Sequence, residues 1–290
     1  MNDGVTEGSA DSEDSDRTGQ RRGLLRRVVA GPVGLPGRTR WVWALAVVVA
    51  TLLTQIAVVA WPLFAFGRGR RRAWVAATAG LVLYAVLTAF VVPRVAPLAG
   101  RVQLPCFGDV VAAHHWGYCV LNRNYVVPDL AHEVEAAAIA LDEAQPGLRI
   151  EYLDGGFPFA GLPMLPHLSH GDGEKLDLAL VFRHADGERG GGSPIGYFGY
   201  VQPATAELAA CPARWWDLRW DFAALQSTLV QGTLDADGTE ATLQSLLARE
   251  AVRKILIEPH LEDSLGIVSD RLRFQGCYAA RHDDHVHIQL

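Results

Sequence analysis

The chain contains very little lysine and no cysteine pair of the CxxC type. Lys175 and Lys254 are the only lysines among 290 residues, so arginine supplies almost all of the positive charge. The net charge is −6 and the C-terminal half carries no basic patch, which argues against a nucleic-acid partner. Without a CxxC pair, the four cysteines do not suggest a cysteine-ligated metal site.

The four cysteines all follow the hydrophobic part of the sequence, at Cys106, Cys119, Cys211 and Cys277. An even number of cysteines suits two disulfides in a domain outside the cytoplasm, because that environment is oxidising. Their spacing does not reveal the pairing. Four buried free thiols are the alternative, and the sequence leaves it open.

Charge is absent from two long runs near the N-terminus. Trp41–Phe66 has 26 residues and Ala73–Pro93 has 21, and each exceeds the roughly 20 residues that cross a hydrocarbon core. The basic segment 67–72 separates them. We therefore predict a transmembrane helical hairpin over residues 41–94. It follows a disordered polar tail, residues 1–40, that ends in a basic segment beside the membrane.

Membrane topology does not follow from charge alone. A hairpin places the tail and the C-terminal region on the same side of the membrane. Four arginines in segment 67–72 favour a loop inside the cell, whereas seven arginines in the tail favour the opposite orientation. The cysteines and the chemistry described below lead us to expect a cell-membrane protein with two transmembrane helices and its C-terminal domain outside.

Residues 101–290 are enough for one compact domain. Apolar spacing and turn residues predict an α+β fold, in which an antiparallel sheet carries flanking helices. The predicted helices are 130–144, a segment from about 221, 239–251 and 262–273. The predicted strands are 148–153, 177–182, 194–202, 252–258 and the closing HVHIQL, 285–290.

The closing strand carries histidine on one face. Successive side chains alternate in a strand, so His285, His287 and Gln289 share one face, and the aliphatic residues between them point into a core. Two imidazoles on one face provide half of a metal site. The segment HLSHGDGEKLD, residues 167–177, supplies the other half.

A catalytic zinc ion takes three histidine or carboxylate ligands and keeps one position open. His170 and Asp177 are seven residues apart, a separation that suits a tight turn running into a strand. Gly171 and Gly173 permit that turn. Pairing of the strand that begins at Asp177 with the closing strand would bring His287 to the same site.

These two segments resemble the penicillin-insensitive murein endopeptidases, within the superfamily of lysostaphin, D-alanyl-D-alanine peptidases and hedgehog domains. Members of that family carry SH-x-x-G-x-x-x-D with a second histidine three residues earlier, and a closing H-x-x-H-x-H strand. HLSHGDGEKLD and HDDHVHIQL match both motifs. The similarity covers about residues 125–290 and leaves the predicted hairpin outside.

The resemblance implies a hedgehog or D-Ala-D-Ala peptidase-like fold, a Zn2+ cofactor and six site residues. The metal ligands that it implies are His170, Asp177 and His287. The catalytic histidines that it implies are His285, beside the metal, together with His282 and His167. In this scheme His285 or His282 passes a proton to the leaving amine, and Asp284 remains a third candidate for the general base.

The sequence departs from the family at one position near the site. Family members often carry an acid two residues before the aspartate ligand, and this chain has Lys175 there. The hydrogen bonding around that ligand is therefore expected to differ from the family pattern.

Together these features predict a membrane-anchored zinc peptidase that hydrolyses amide bonds of peptidoglycan stem peptides or cross-links. Linkages to D-alanine are what the resemblance implies. The expected partners are peptidoglycan peptides and the lipid bilayer, and the sequence indicates no oligomeric state. The alternatives are a D,D-carboxypeptidase or dipeptidase, a non-catalytic zinc-containing binding module like the hedgehog domains, and a purely structural metal with four protein ligands.

Overall fold

The structure is a computed structural model that describes residues 37–59, 70–160, 163–165, 167–205, 211 and 229–290. Most of the predicted polar tail, and most of the helix predicted from about residue 221, lie outside these residues. The described residues fall into two compact units. One holds the segments up to Thr51 and Ile56–Leu87, and the other holds Leu52–Gln55 and Thr88–Leu290.

Helix α1 (Gly37–Thr54) contains the first part of the first hydrophobic run. Gln55 follows in the left-handed region, with a φ of 62°, and the helix ends there. Within α1, Leu45–Thr54 forms an apolar stretch that is too short to cross a bilayer. The first run is thus not one continuous helix, which corrects our prediction for Trp41–Phe66.

The second hydrophobic run forms one long helix. It begins as α2 (Arg70–Val86) and continues through a π-helical turn, α3 (Val92–Val95) and a 3-10 turn (Ala96–Ala99). The 26 residues Trp74–Ala99 have a mean hydropathy of 2.3, so this helix is long and apolar enough to span a membrane. No other helix in the described part of the chain meets that requirement, so the second arm of the predicted hairpin is not shown.

Of the four remaining helices, two match the helices predicted over residues 130–144 and 239–251 to within a few residues. The four are α4 (Gly117–Val120), α5 (Pro128–Ala144), α6 (Ala236–Leu247) and α7 (Pro259–Leu265). Proline opens α5 and α7 because the first turn of a helix needs no N–H donor there. The Asp235 carboxylate accepts a hydrogen bond from the N–H of Gly238 at 3.4 Å and caps α6.

Eleven short strands form three sheets in the described residues. They are β1 (Val102–Gln103), β2 (Val111–Ala113), β3 (Tyr125–Val126), β4 (Ile150–Tyr152), β5 (Lys175–Ala179), β6 (Phe182–Arg183), β7 (Arg189–Gly190), β8 (Thr233–Leu234), β9 (Lys254–Leu256), β10 (Leu272–Arg273) and β11 (His285–Gln289). The central sheet has the order β10-β9-β11-β5-β4-β2. The α+β class is therefore confirmed.

The central sheet is mixed, which corrects the prediction of an antiparallel sheet. Its four inner strands pair antiparallel, but β2 pairs parallel with β4 and β9 pairs parallel with β10. Parallel neighbours need a crossover connection. Helix α5 lies between β2 and β4 in the chain, and α7 lies between β9 and β10, so each outer pair has its crossover helix.

Two further predictions fail in the described residues. Residues 194–202, predicted as a strand, form consecutive turns in which Gly196 and Phe198 have φ values of 80° and 67°. Segment 262–273, predicted as one helix, contains only the end of α7. The left-handed Gly266, with a φ of 64°, closes that helix, and the chain then enters β10.

The closing strand points its aliphatic side chains into the core, as predicted. Val286 and Ile288 are buried in one cluster with Leu176 and Leu178 of the neighbouring β5. The buried side of α5 contributes residues spaced three, four and seven positions apart to the same cluster. The opposite face of β5 and β11 is therefore left for polar side chains.

All four cysteines are paired. The disulfides join Cys106 to Cys119 and Cys211 to Cys277. This confirms the expectation of two disulfides and supplies the pairing that the spacing left open.

Candidate metal centre

Strand register places Asp177 beside His287. In the antiparallel pair of β5 and β11, which the sequence predicts, these two residues are direct partners. Residues opposite each other in such a pair project to the same face. Both are buried in the domain, and the Nδ1 atom of His287 lies 2.8 Å from Oδ1 of Asp177.

A short turn brings His170 to the same face. His170 lies in the 3-10 turn Leu168–Asp172, which closes at Gly173 with a φ of 75°. A side chain at Gly173 would also collide with Arg101, since a Cβ there would lie 2.6 Å from the guanidinium. His170 Nδ1 donates a hydrogen bond to the carbonyl of Gly155 at 2.7 Å, which leaves Nε2 as the acceptor atom that faces the site.

The three atoms converge to a small triangle. His170 Nε2 lies 3.2 Å from His287 Nδ1 and 3.4 Å from Asp177 Oδ1. The third side, from His287 Nδ1 to Asp177 Oδ1, is 2.8 Å. Tetrahedral zinc with bonds of about 2.0–2.2 Å separates its ligand atoms by about 3.3 Å. The triangle therefore has the size of one face of a zinc coordination sphere.

A second set of ligand atoms overlaps the first. Ligand atoms of His167, His170 and Asp177 all lie within 4.8 Å of one another, so these residues also form a group that could hold a metal ion. His167 approaches the other carboxylate oxygen, with Nδ1 3.0 Å from Asp177 Oδ2 and 3.1 Å from Asp154 Oδ2. The two sets share His170 and Asp177 and differ in the third histidine.

Tyr197 holds the second oxygen of Asp177, a role that was not predicted from the sequence. Its hydroxyl donates to Asp177 Oδ2 at 2.8 Å and lies 3.2 Å from Asp154 Oδ2. The segment that carries it was predicted as a strand, in which its direction would be set by alternation. The observed turns instead direct it at the site. The glycines around it, GGGSPIGYFG, were the available signal.

Replacing Tyr197 with phenylalanine removes a hydrogen bond that orients Asp177. Loss of a residue that orients a metal ligand typically weakens metal binding by about 10–100-fold, and we expect an effect of that size here. Competition with a chromophoric chelator measures it. A matched Tyr118→Phe variant, which loses a hydroxyl that donates to the Ile195 carbonyl, should bind metal as tightly as the wild type. Equal metal affinity in Tyr197→Phe would contradict the orienting role.

Arg123 and Asp154 form a buried ion pair behind Tyr197. Nη2 of Arg123 donates to Asp154 Oδ2 at 2.9 Å, Nε donates to Oδ1, and Nη1 donates to the carbonyl of Leu165 at 2.8 Å. Burial alone would raise the pKa of Asp154, but Arg123 and His167 lower it to about 2. Arg123 lies in neither of the two sequence motifs, so it was not predicted as part of the site.

Replacing Arg123 with methionine leaves a buried carboxylate without its cation, and we expect a loss of about 3–5 kcal/mol in the free energy of unfolding. In a domain of this size the loss lowers the Tm by about 10 °C. Because the pKa of Asp154 is depressed from 3.8 to about 2, its stabilisation is present above about pH 4 and is lost as the pH falls through about 2. Thermal unfolding at neutral pH and at about pH 3 measures this effect. The difference in Tm between Arg123→Met and wild type should be smaller at about pH 3 than at neutral pH.

Arg149 provides the matched control for that variant. It pairs with Glu151 at 2.7 Å, but its side chain is about half exposed. Surface pairs contribute about 0–1 kcal/mol, so Arg149→Met should lower the Tm by no more than a few degrees. Equal effects of the two substitutions would contradict the distinction between the buried and the exposed pair.

His285 is held by a carboxylate on the other side of the triangle. Its Nδ1 donates to Asp284 Oδ1 at 2.6 Å, and the second oxygen of Asp284 accepts the backbone N–H of Phe198 at 2.6 Å. This leaves Nε2 of His285 facing the site, 3.9 Å from Asp177 Oδ2. Both oxygens of Asp284 are thus occupied, so its geometry is that of a group that orients His285.

His282 lies beside His285, but the groups that surround the two imidazoles differ. Their ring centroids are 4.9 Å apart. His282 Nδ1 is buried and has no hydrogen-bond partner in the part of the chain that the structure describes. Burial and the neighbouring His285 lower the pKa of His282, whereas at His285 the carboxylates of Asp284 and Asp177 outweigh burial and raise the pKa. The two imidazoles therefore differ in their affinity for a proton.

The structure brings all six predicted site residues to one cavity. Its volume is about 560 Å³, and the metal triangle lines it together with His167, His282 and His285. Aromatic side chains form much of its wall, including Tyr118, Tyr197 and Phe198. Lys175 is not among the lining residues and instead contacts Asp172. A cavity of this size accommodates a short peptide segment.

Comparison with known proteins adds no family to this description. No family model matches the chain, and no curated protein matches it. The chemistry of the site must therefore be argued from its own geometry. That geometry comprises a group of His167, His170 and Asp177 that could hold a metal ion, with three further histidines and the Asp284 carboxylate beside it.

Proposed function

We propose that the chain is a membrane-anchored zinc peptidase that hydrolyses amide bonds of peptidoglycan stem peptides or cross-links. Its ligands are His170 Nε2, Asp177 Oδ1 and His287 Nδ1. The catalytic residues are His285, His282 and His167. The C-terminal domain lies outside the membrane, a location that the two disulfides support because they persist in oxidising compartments.

The size of the ligand triangle is the observation that carries the proposal. Its sides of 3.2, 3.4 and 2.8 Å are close to the separation of about 3.3 Å in tetrahedral zinc. Two imidazoles and one carboxylate are a typical ligand set for catalytic zinc. Bound zinc supplies Lewis acidity, polarising a carbonyl and lowering the pKa of water to about 7.

His287 is favoured over His167 as the third ligand because of what each atom contacts. His287 Nδ1 lies close to both other ligand atoms, at 2.8 and 3.2 Å. His167 Nδ1 instead lies between two carboxylate oxygens, of Asp154 and Asp177, and near the hydroxyl of Tyr197. In that position His167 Nδ1 can donate a proton to these carboxylates. His167 therefore contacts Oδ2 of Asp177, whereas Oδ1 of Asp177 is the proposed ligand atom.

The pair of Asp284 and His285 supports catalysis at this site. Asp284 accepts the Nδ1 proton of His285, so Nε2 of His285 is the atom that exchanges a proton with the reacting groups. The same hydrogen bond stabilises the imidazolium that forms after proton uptake. A binding module that only recognises a ligand needs no ordered proton carrier, so this pair favours an enzyme over the non-catalytic alternative.

The cavity supports a peptide as the substrate. Its aromatic walls offer apolar contact to a chain that passes the site, and histidine and tyrosine side chains offer polar contacts near the scissile bond. The choice between a cross-link endopeptidase and a D,D-carboxypeptidase or dipeptidase depends on which end of the peptide the cavity admits. The products of the reaction decide it.

The test uses the full-length protein in detergent with cross-linked muropeptides as substrate. We expect one zinc ion per chain, cleavage that stops when zinc is removed by a chelator, and recovery when zinc is restored. Mass spectrometry of the products identifies the scissile bond. Intact muropeptides after incubation with a folded, zinc-loaded protein would contradict the peptidase and favour the binding module.

A further inference from the structure

The turn that carries His170 is bonded to the end of the long apolar helix Trp74–Ala99. The last turns of this helix belong to the same compact unit as the metal site, because that unit contains Thr88 and all later residues. Gly100 adopts a left-handed conformation with a φ of 71° and reverses the chain. The backbone N–H of Arg101 then donates to the carbonyl of Ala96 at 3.1 Å.

Arg101 connects this helix end to the metal turn. Its Nη2 donates to the carbonyl of Gly171 at 3.1 Å, one residue after His170. Its guanidinium also fills the space beside Gly173, where any Cβ would collide with it. Arg101 is buried, so the contact is part of the packed domain. The turn that carries a metal ligand is thus held by a residue whose backbone bonds to the last turn of the helix.

A second connection joins the same helix to the opposite side of the site. Asn122 Nδ2 donates to Thr88 Oγ1 at 3.3 Å. Asn122 directly precedes Arg123, which binds Asp154 beneath Tyr197. The part of the helix that belongs to this unit, from Thr88 onwards, is therefore bonded to the site region at two places, one on the His170 side and one on the Asp154 side.

The charged end of the apolar run lies close to this attachment. The uncharged run ends at Pro93, and Arg94 is the first charged residue after it. Ala96, whose carbonyl accepts the hydrogen bond from Arg101, lies about 3 Å beyond Arg94 along the helix. The metal turn is therefore bound to the end of the apolar run.

We propose that this site acts on peptides presented at the bilayer surface, and that its substrate is a muropeptide linked to a membrane lipid. The inference rests on the proposed peptidase function and names the form of its substrate. A site bound to the end of a membrane-spanning helix reaches a peptide whose anchor is in the same membrane. A cross-linked polymer lying further out is beyond the reach of a domain that has no flexible linker between helix and site.

A spacer variant tests this directly. Twenty glycine and serine residues are inserted between Gly100 and Arg101. Ala96→Asp is added to release the buried helix end, and Thr88→Val is added to remove the hydrogen bond to Asn122. Such a linker has an end-to-end distance of about 25 Å. In the matched control, the same insertion is placed between Asp186 and Gly187, in an exposed turn where a Cβ at Gly187 meets nothing within 4 Å. All proteins are full length, reconstituted in vesicles and checked for equal zinc content.

Three substrates are compared: a soluble muropeptide, the same muropeptide on a short lipid anchor in the vesicles, and insoluble cross-linked polymer. We expect wild type and control to cleave the anchored substrate at least tenfold faster than the polymer, and the spacer variant to reduce that ratio at least tenfold. A fluorophore on Ser169→Cys should be quenched by headgroup nitroxides in wild type and much less in the spacer variant.

The outcomes separate the inference from the proposed function. Cleavage of soluble muropeptide with equal rates on anchored substrate and polymer would overturn the inference and leave the peptidase standing. Cleavage of no substrate by zinc-loaded protein would overturn both. A label that headgroup quenchers do not reach would overturn the inference without reference to activity.

Discussion

Replacing His285 with alanine should lower kcat/KM by about 10²–10⁴-fold while the protein keeps its zinc. A positioned general acid or base contributes about that much to a reaction. His285 Nε2 faces the cavity because Nδ1 is bound to Asp284, and His285 supplies no atom to the ligand triangle. Steady-state hydrolysis of a muropeptide and metal analysis of the same sample measure the two quantities.

Asp284→Asn provides the graded comparison for His285. The amide keeps the size of the side chain, but it cannot stabilise an imidazolium as a carboxylate does. We expect its loss in kcat to be smaller than that of His285→Ala, with zinc content unchanged and the acidic limb of the pH profile shifted. A His285→Ala variant with near-normal activity would assign the proton transfer to His282.

Replacing His287 with alanine should remove both the metal and the activity. His287 Nδ1 is one corner of the ligand triangle, at 2.8 Å from Asp177 Oδ1 and 3.2 Å from His170 Nε2. Loss of a direct ligand should weaken zinc binding by more than the about 10–100-fold that loss of an orienting residue costs. Zinc affinity from chelator competition and residual hydrolysis give the result.

The matching variant His167→Ala distinguishes the two possible third ligands, His287 and His167. His167 belongs to the overlapping group that could hold a metal, together with His170 and Asp177. If His287 is the third ligand, the His167 variant retains zinc and loses activity only in part. Retention of zinc by His287→Ala together with its loss from His167→Ala would assign the site to the other set.

The sequence predicted the centre of the site because simple periodicity determines it. Alternation along HVHIQL places Val286 and Ile288 in the core and leaves His285 and His287 on the polar face. The pairing of that strand with the one containing Asp177 follows from two apolar faces that must share a core. The observed pairing of the two strands agrees with the prediction, and the structure supplies the register, with His287 opposite Asp177.

The surroundings of the site could not be predicted, because they depend on irregular loops and on distant residues. Tyr197 reaches Asp177 from a series of turns, which periodicity does not describe. Arg123 and Asp154 are 31 positions apart and meet only in the folded chain. The parallel outer strands were missed for the same reason, since the direction of a pair depends on the connection and not on the strand sequence.

Hydrophobicity alone also did not predict where the helix in the first apolar run ends. The run Trp41–Phe66 lacks charge, but α1 ends at Thr54. There the side chain of Gln55 accepts a hydrogen bond from the backbone N–H of Phe159 at 2.9 Å and donates another to the Phe159 carbonyl. A polar residue with two specific partners in the folded domain can interrupt an apolar run. The composition of that run does not reveal the interruption.

The most direct test of the metal centre is anomalous diffraction at the zinc edge from crystals of the zinc-loaded protein. We expect one peak at about 2.0–2.2 Å from His170 Nε2, Asp177 Oδ1 and His287 Nδ1, with the fourth position open to solvent in the cavity. A peak bound by His167 in place of His287, or a zinc ion with four protein ligands and no open position, would contradict the catalytic site proposed here.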